Sequence, residues 1–112
     1  MSDSFEKIAK RALEIKDAYV KNEPKQWDVE QIFMGLVKDV GDLSKILMVR
    51  GGYRHDFGGD AKERLEHELA DILYSIIVLA DKVGIDLEDG FNKTMSEIGS
   101  EKRNKNGSYQ DK

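Results

Sequence analysis

With 112 residues, the chain is long enough for one domain and too short for two of ordinary size. Its 18 basic and 22 acidic residues give a net charge of −4, which disfavours binding to nucleic acid through the overall electrostatic field. The sequence has no cysteine, no visible signal peptide and no apolar run long enough for a membrane span. We therefore expect a cytoplasmic protein with neither nucleic acid nor a membrane as partner.

Four helices are predicted from apolar residues that recur at three- and four-residue steps. The first runs from about Asp3 to Lys21, and Pro24 stops it because proline lacks the N–H that a helix needs. The second starts at Asp28, a typical N-cap with Gln31 three residues later, and ends near Arg50. Its predicted apolar stripe consists of Val29, Ile32, Phe33, Leu36, Val40, Leu43 and Leu47.

A loop with four glycines, from Gly51 to Gly59, separates the second helix from the third. Asp60 and Glu63 form a plausible cap pair at the start of the third helix, and Gly84 is a typical C-terminal stop. The apolar stripe of the third helix is predicted to be wide. It comprises Leu65, Leu69, Ile72, Leu73, Ile76, Leu79, Ala80 and Val83.

The fourth helix is predicted to begin after a cap at Asp86 and to end by Ile98. Residues 99–112 are polar, and we expect them to form a flexible tail. The fold class is therefore all-α, with one four-helix domain over residues 1–98. Because a domain of this size has a modest core, assembly into an oligomeric helical bundle is expected.

The second and third helices share a pattern: leucine, two residues, acid, aliphatic, small residue, acid, aliphatic. It places Asp39 and Asp42 on the second helix, and Glu68 and Asp71 on the third. Each pair is spaced i, i+3 and so lies on one face of its helix. On a helical wheel, both pairs fall at the same border of the apolar stripe. Antiparallel packing of the two helices would bring the four carboxylates together.

Converging carboxylates repel one another, and a cation can offset that cost. Four oxygen ligands without cysteine favour magnesium, manganese or calcium over zinc. Magnesium usually completes its coordination with water and substrate phosphates, so the cluster suits a nucleoside phosphate. The alternative is a structural module for dimerisation or scaffolding, in which the acid pairs are simply solvated.

At these residues the chain resembles the MazG-like all-alpha nucleoside triphosphate pyrophosphohydrolases. Their signature, Glu-x-x-Glu followed after a gap by Glu-x-x-Asp, corresponds here to Asp39-Val-Gly-Asp42 and Glu68-Leu-Ala-Asp71. The segment Gly84-Ile85-Asp86-Leu87-Glu88 is similar to the family's turn into its last helix, and the likeness spans about Trp27 to Ile98.

The resemblance implies the chemistry. Magnesium, or manganese, held by the four acids would bind the triphosphate, and an activated water would attack the α-phosphorus. The products would be a nucleoside monophosphate and pyrophosphate, from an NTP or dNTP, in a nucleotide-pool cleaning role. A homodimer or homotetramer is also implied. The sequence leaves open the preferred base or sugar, the number of metal ions, and the choice between dimer and tetramer.

The chain departs from the family pattern in two ways. Asp39 and Asp42 replace two glutamates, so each of these side chains is one methylene shorter. Lys38 stands where many members carry an additional glutamate. These departures leave a second hypothesis open, that of a non-catalytic helical module that binds a nucleotide or a metal.

Weaker predictions concern substrate contacts, each of which has a solvated or structural alternative. An aromatic residue before the second helix is suited to stack on a base. The resemblance suggests two residues of the fourth helix near phosphate or sugar, and lysines of the second helix and an arginine of the glycine-rich loop are suited to phosphates. His67 is expected to be a surface residue pointing away from the acids. The predicted contact residues are Trp27, Lys38, Lys45, Arg54, Asn92 and Lys93.

Overall fold

The computed structural model describes residues 2–54 and 61–104, with side chains described at 4–54 and 61–100. Within these ranges the chain forms four helices and no strand, which confirms the all-α prediction. None of these helices combines the length and hydropathy needed to cross a bilayer. The helices are α1 (Ser2–Lys21), α2 (Val29–Arg50), α3 (Ala61–Lys82) and α4 (Leu87–Asn104).

Helix α2 begins and ends where the cap residues predicted. The carboxylate of Asp28 accepts a hydrogen bond from the backbone N–H of Gln31 at 2.8 Å, satisfying a donor that the first turn leaves without a helical partner. At the other end the chain leaves the helix through Gly51 and Gly52. Gly52 has φ +85°, a conformation that favours glycine. The rest of the predicted loop, residues 55–59, and the predicted cap Asp60 lie outside the described part.

Helix α3 ends in a Schellman motif at the predicted glycine. Gly84 adopts φ +78°, and its N–H donates to the carbonyl of Asp81 at 3.2 Å. The N–H of Ile85 donates to the carbonyl of Ala80 at 2.9 Å. Together these bonds satisfy carbonyls that the last turn would otherwise leave unpaired, which explains the sharp stop.

Helix α4 starts as predicted and ends later than predicted. Asp86 accepts a hydrogen bond from the N–H of Asp89 at 3.1 Å, as an N-cap should. The helix then continues past Gly99 to Asn104, so the predicted end at Ile98 is wrong. The segment after Gly99 contains glutamate, lysine and arginine, which are good helix formers. It has no apolar periodicity, so the sequence pattern did not predict a helix there. Residues 105–112 of the predicted tail lie outside the described part.

Helices α2 and α3 form the most extensive pair, and α1 packs against α3, while α4 contacts α3 only briefly. The α2–α3 pair is antiparallel: the first half of α2 lies beside the second half of α3, and the reverse. The buried core is small. It comprises Ala12, Val20, Ile32, Ile46, Ile77, Val78 and Ala80.

The predicted apolar stripes are only partly buried. In α2, Ile46 is buried, whereas Phe33 and Val40 of the predicted stripe are 53% and 48% exposed. In α3, Ile77 and Val78 are buried outside the predicted stripe, and Leu69 is 55% exposed. The prediction of one buried face per helix is therefore wrong. Each helix carries two apolar faces, and the face that meets its neighbour includes the acids.

Candidate active site

The α2–α3 hairpin brings the two predicted acid pairs into one groove. Asp39 and Asp42 lie one turn apart on α2, and Glu68 and Asp71 lie one turn apart on α3. All four side chains are half-buried. Their positions follow from the i, i+3 spacing, which holds each pair on one face, and from the antiparallel packing, which turns those faces toward each other.

Glu68 lies at the centre of the cluster. One carboxylate oxygen each from Asp39, Asp42 and Glu68 lie within 4.8 Å of one another. A second group of three, with atoms equally close, consists of Glu68, Asp71 and the imidazole of His67. The predicted four acids thus meet as two overlapping groups that share Glu68.

Two cationic or ionisable side chains border the cluster. The ammonium of Lys38 lies 3.0 Å from Asp42, and the Nε2 atom of His67 lies 3.1 Å from Asp71; each pair is spaced i, i+4. His67 is exposed, as expected, but it does not point away from the acids, so that part of the prediction is wrong. Its spacing from Asp71 was the signal in the sequence, since an i, i+4 pair shares a helix face.

The electrostatics of the cluster favour a bound cation. Partial burial, and then the neighbouring carboxylates, raise the pKa of Asp39 above its ordinary value, and the same causes raise the pKa of Glu68. The hydrogen bond with Asp42, and then that carboxylate's charge, raise the pKa of Lys38. The groove therefore carries an excess of negative charge that a single surface ammonium only partly offsets.

The donor set fits a hard divalent cation. The Oε1 atom of Glu68 is buried and has no hydrogen-bond partner among the described residues. Leaving a buried carboxylate oxygen unpaired is costly, and a metal ion would supply the missing partner. With four carboxylates nearby and no cysteine in the sequence, magnesium and manganese suit the site better than softer metals.

Two cavities flank the acids along the groove. One, of about 390 Å³, is lined by the acidic side chains of Asp42, Glu63 and Glu68 and also by Lys45, Arg64 and His67. The other, of about 420 Å³, is lined by Asp39 and Asp71, and in addition by Trp27, Gln31, Tyr74 and Ser75. The acid cluster therefore separates a cavity with charged side chains of both signs, the charged cavity, from an aromatic and polar one.

The weaker predicted residues divide into two groups. Trp27 lines the aromatic cavity, Lys45 lines the charged cavity, and Lys38 pairs with Asp42. Arg54, Asn92 and Lys93 line neither cavity. Lys93 instead lies 3.2 Å from Asp89 on its own helix.

Sequence reasoning missed three cavity residues besides His67. The sequence predicts Gln31 only as part of a helix cap and Glu63 only as a cap partner, and it predicts no role for Arg64. Arg64 precedes Glu68 by four residues, so the helical spacing places it beside the acid. Gln31 precedes Gly35 by four residues, and both line the aromatic cavity.

An all-helical fold in which two helices bring four carboxylates together is the arrangement that the sequence resemblance implies for a nucleotide pyrophosphohydrolase. The chain matches the phosphoribosyl-ATP pyrophosphohydrolase family over residues 1–96 and belongs to it. This confirms the predicted membership in the MazG-like all-alpha superfamily. No curated protein and no solved structure matches the sequence. Family membership supports a pyrophosphohydrolase activity on a nucleotide substrate.

Proposed function

We propose that this protein is a magnesium-dependent pyrophosphohydrolase that acts on a phosphoribosyl-ATP-type nucleotide. The observation that carries the proposal is the pair of overlapping groups of potential metal ligands that share Glu68, which lie between two cavities of about 390 and 420 Å³. The family supplies the substrate class, since its description specifies phosphoribosyl-ATP where the sequence alone suggested ordinary NTPs or dNTPs.

The four carboxylates of the groove, Asp39, Asp42, Glu68 and Asp71, would hold the metal. A bound magnesium ion supplies positive charge against the triphosphate and increases the acidity of the attacking water. In the reaction, the water oxygen bonds to the α-phosphorus and the bond from that phosphorus to the bridging oxygen of the β-phosphate breaks. Pyrophosphate and the nucleoside monophosphate leave.

The two cavities indicate how the nucleotide lies. Lys45 and Arg64 carry positive charge on one side of the acids, which suits the β- and γ-phosphates. Trp27 and Tyr74 line the other cavity, where the indole ring can stack on a base and Gln31 can donate and accept hydrogen bonds. In this orientation the α-phosphorus lies over the carboxylates, where the reaction requires it.

The alternative is a module that binds the nucleotide without hydrolysing it. The specific observation in its favour is the ion pair of Lys38 with Asp42, because this ammonium occupies one of the oxygens that a metal would need. The pair is on the surface, with the Lys38 side chain 74% exposed, so it contributes little energy and a divalent ion can displace it. We therefore favour the enzyme.

A homodimer or homotetramer is part of the proposal. Exposed apolar residues run along α2 (Phe33, Val37 and Val40) and along α3 (Leu69 and Leu73). On each helix, the exposed apolar stripe is rotated from the acid pair by a similar angle about the helix axis. Because the helices are antiparallel, the stripes lie on the same side of the hairpin. An apolar face of this kind in a small protein is typical of a subunit contact.

The test is pyrophosphate release from phosphoribosyl-ATP, ATP and a panel of deoxynucleotides, with and without magnesium. We expect release from phosphoribosyl-ATP that needs magnesium. Glu68→Gln should reduce the rate by at least about a hundredfold, since it removes the charge at the centre of the cluster. Glu66→Gln is the matched control, because Glu66 lies exposed on the same helix and lines neither cavity.

Three outcomes distinguish the hypotheses. Release that Glu68→Gln abolishes and Glu66→Gln preserves supports the enzyme. Magnesium-dependent nucleotide binding without any release supports the binding module. A protein that neither binds magnesium nor changes on Glu68→Gln contradicts both and favours the structural module.

A further inference from the structure

A third, smaller cavity continues the groove beyond Trp27. It has a volume of about 40 Å³ and lies between α1, the α1–α2 connection and the end of α3. It shares Trp27, Ile32 and Val78 with the aromatic cavity, so these three residues form the boundary between the two. Two lysines, Lys16 of α1 and Lys82 of α3, line it on the far side.

One face of α3 connects the acid cluster to this cavity. Asp71, Ser75, Val78 and Lys82 are spaced i, i+4, i+7 and i+11, which places them along a single face of the helix. At 1.5 Å per residue, Lys82 lies about 16 Å along the axis from Asp71. This span suits a nucleoside that extends from its α-phosphate through the base to a second sugar phosphate.

The charges around the cavity are mixed. The ammonium of Lys16 is held 2.6 Å from Asp17, and the Lys16 side chain is only 24% exposed. Asp81 also lines the cavity. Lys82 makes no ion pair within the described part of the chain. The cavity therefore contains one lysine held in position by a carboxylate and one, Lys82, that has no ion pair among the described residues and can pair with a phosphate monoester.

We propose that Lys16 and Lys82 bind the phosphate of the phosphoribosyl group that the substrate carries on its base. This inference rests on the proposed function, because only that substrate class has a sugar phosphate beyond the base. The base would lie against Trp27, with the triphosphate over the acids on one side and the phosphoribosyl group on the other. The subsite selects phosphoribosyl-ATP over ATP, which lacks the second phosphate.

The experiment measures binding of two products, phosphoribosyl-AMP and AMP, to the full chain by isothermal titration calorimetry with magnesium present. Neither ligand requires turnover, so binding is read independently of catalysis. We expect phosphoribosyl-AMP to bind the wild-type protein at least about tenfold more tightly than AMP, as a charge-assisted phosphate contact allows. Lys82→Met and Lys16→Met should remove most of this preference and leave the affinity for AMP unchanged. Lys10→Met is the control, because Lys10 lies exposed on α1 and lines none of these cavities.

Lys82 lies in the last turn of α3, where a positive charge also stabilises the helix end. A melting curve of each variant shows whether it is folded, and the ratio of the two affinities reports the subsite. Equal affinities of the wild-type protein for the two ligands, or a preference that Lys82→Met and Lys16→Met both leave intact, overturn the inference. A preference that these variants remove, in a protein that releases no pyrophosphate, supports the subsite and contradicts only the proposed catalysis.

Discussion

Lys38 occupies part of the acid cluster, because its ammonium pairs with one of the carboxylates proposed to bind a metal. Its ammonium lies 3.0 Å from Asp42, and the charges of Asp39 and Glu68 also act on it. A divalent ion bound at the proposed metal site would compete with this ammonium for the same negative charge. The lysine would therefore lower the affinity of the site for metal, and it limits repulsion among the carboxylates when no metal is bound.

Replacing this lysine should strengthen metal binding. We expect Lys38→Met to lower the magnesium dissociation constant several-fold, because the competing charge is removed. Isothermal titration with magnesium measures the change. Lys93→Met is the matched control, since Lys93 forms the same i, i+4 pair with Asp89 on α4 and lines neither cavity beside the acids. An unchanged dissociation constant in Lys38→Met would contradict this role.

The raised pKa values of Asp39 and Glu68 give the site a pH dependence of known sign. A carboxyl whose pKa is higher in the folded protein binds protons more tightly there. Its contribution to stability is therefore present at low pH and is lost as pH rises through the raised pKa. Above that point the ionised groups repel one another and become available to metal.

We accordingly expect magnesium to raise the melting temperature more at about pH 7.5 than at about pH 5, where protons compete for the same oxygens. Without metal, Asp39→Asn should be more stable than the wild-type protein near neutral pH, since it removes one of the repelling charges. Thermal melts at the two pH values measure both effects. A magnesium response of equal size at both values would count against the cluster as the metal site.

At the scale of the helices, the capped ends were predictable, whereas the end of α4 and the buried faces were not. Caps depend on one or two residues with a local mechanism, so Asp28, Gly84 and Asp86 could be identified from the sequence. Which face of a helix is buried depends on where the neighbouring helices pack. Helices α2 and α3 have more apolar residues than a single buried face would contain, so the sequence does not decide between the faces. This is why Phe33 and Val40 were wrongly predicted as core.

The same reasoning explains how far the site could be predicted. The spacing of the acid pairs placed them on common faces, and the structure brings them together as expected. The cavities beside them depend on residues from separate elements, Trp27 before α2 and Tyr74 on α3, whose meeting no local pattern reveals. The place of His67 beside the acids is predictable, because its i, i+4 spacing from Asp71 puts the two side chains on one face of α3.

The stop of α3 can be tested with a pair of glycine substitutions. Gly84→Ala should lower the free energy of unfolding by about 1 kcal/mol, because φ +78° strains any residue with a Cβ atom. Gly90→Ala should raise it by up to about 1 kcal/mol, since Gly90 lies within α4 and an added Cβ meets nothing within 4 Å. Urea unfolding of both variants measures the difference. Equal effects of the two changes would contradict a special role for Gly84.

For the whole molecule, the exposed apolar face of the α2–α3 hairpin predicts self-association. Val37 is 52% exposed on this face, and a charge there should weaken a contact between copies without disturbing the core. We expect Val37→Glu to reduce the mass measured by light scattering during size-exclusion chromatography. Thr94→Glu, at an exposed position on α4, is the control. A monomeric wild-type protein would contradict the assembly.

The central claim is that the carboxylates around Glu68 form a divalent metal site. The most direct measurement is a manganese titration followed by electron paramagnetic resonance, which counts bound ions without requiring substrate or turnover. The wild-type protein and Glu66→Gln should bind manganese alike, and magnesium should displace it. Glu68→Gln should bind at least about tenfold more weakly, because the ligand that both groups share has lost its charge. If Glu68→Gln binds manganese as the wild-type protein does, the metal site does not lie where we place it.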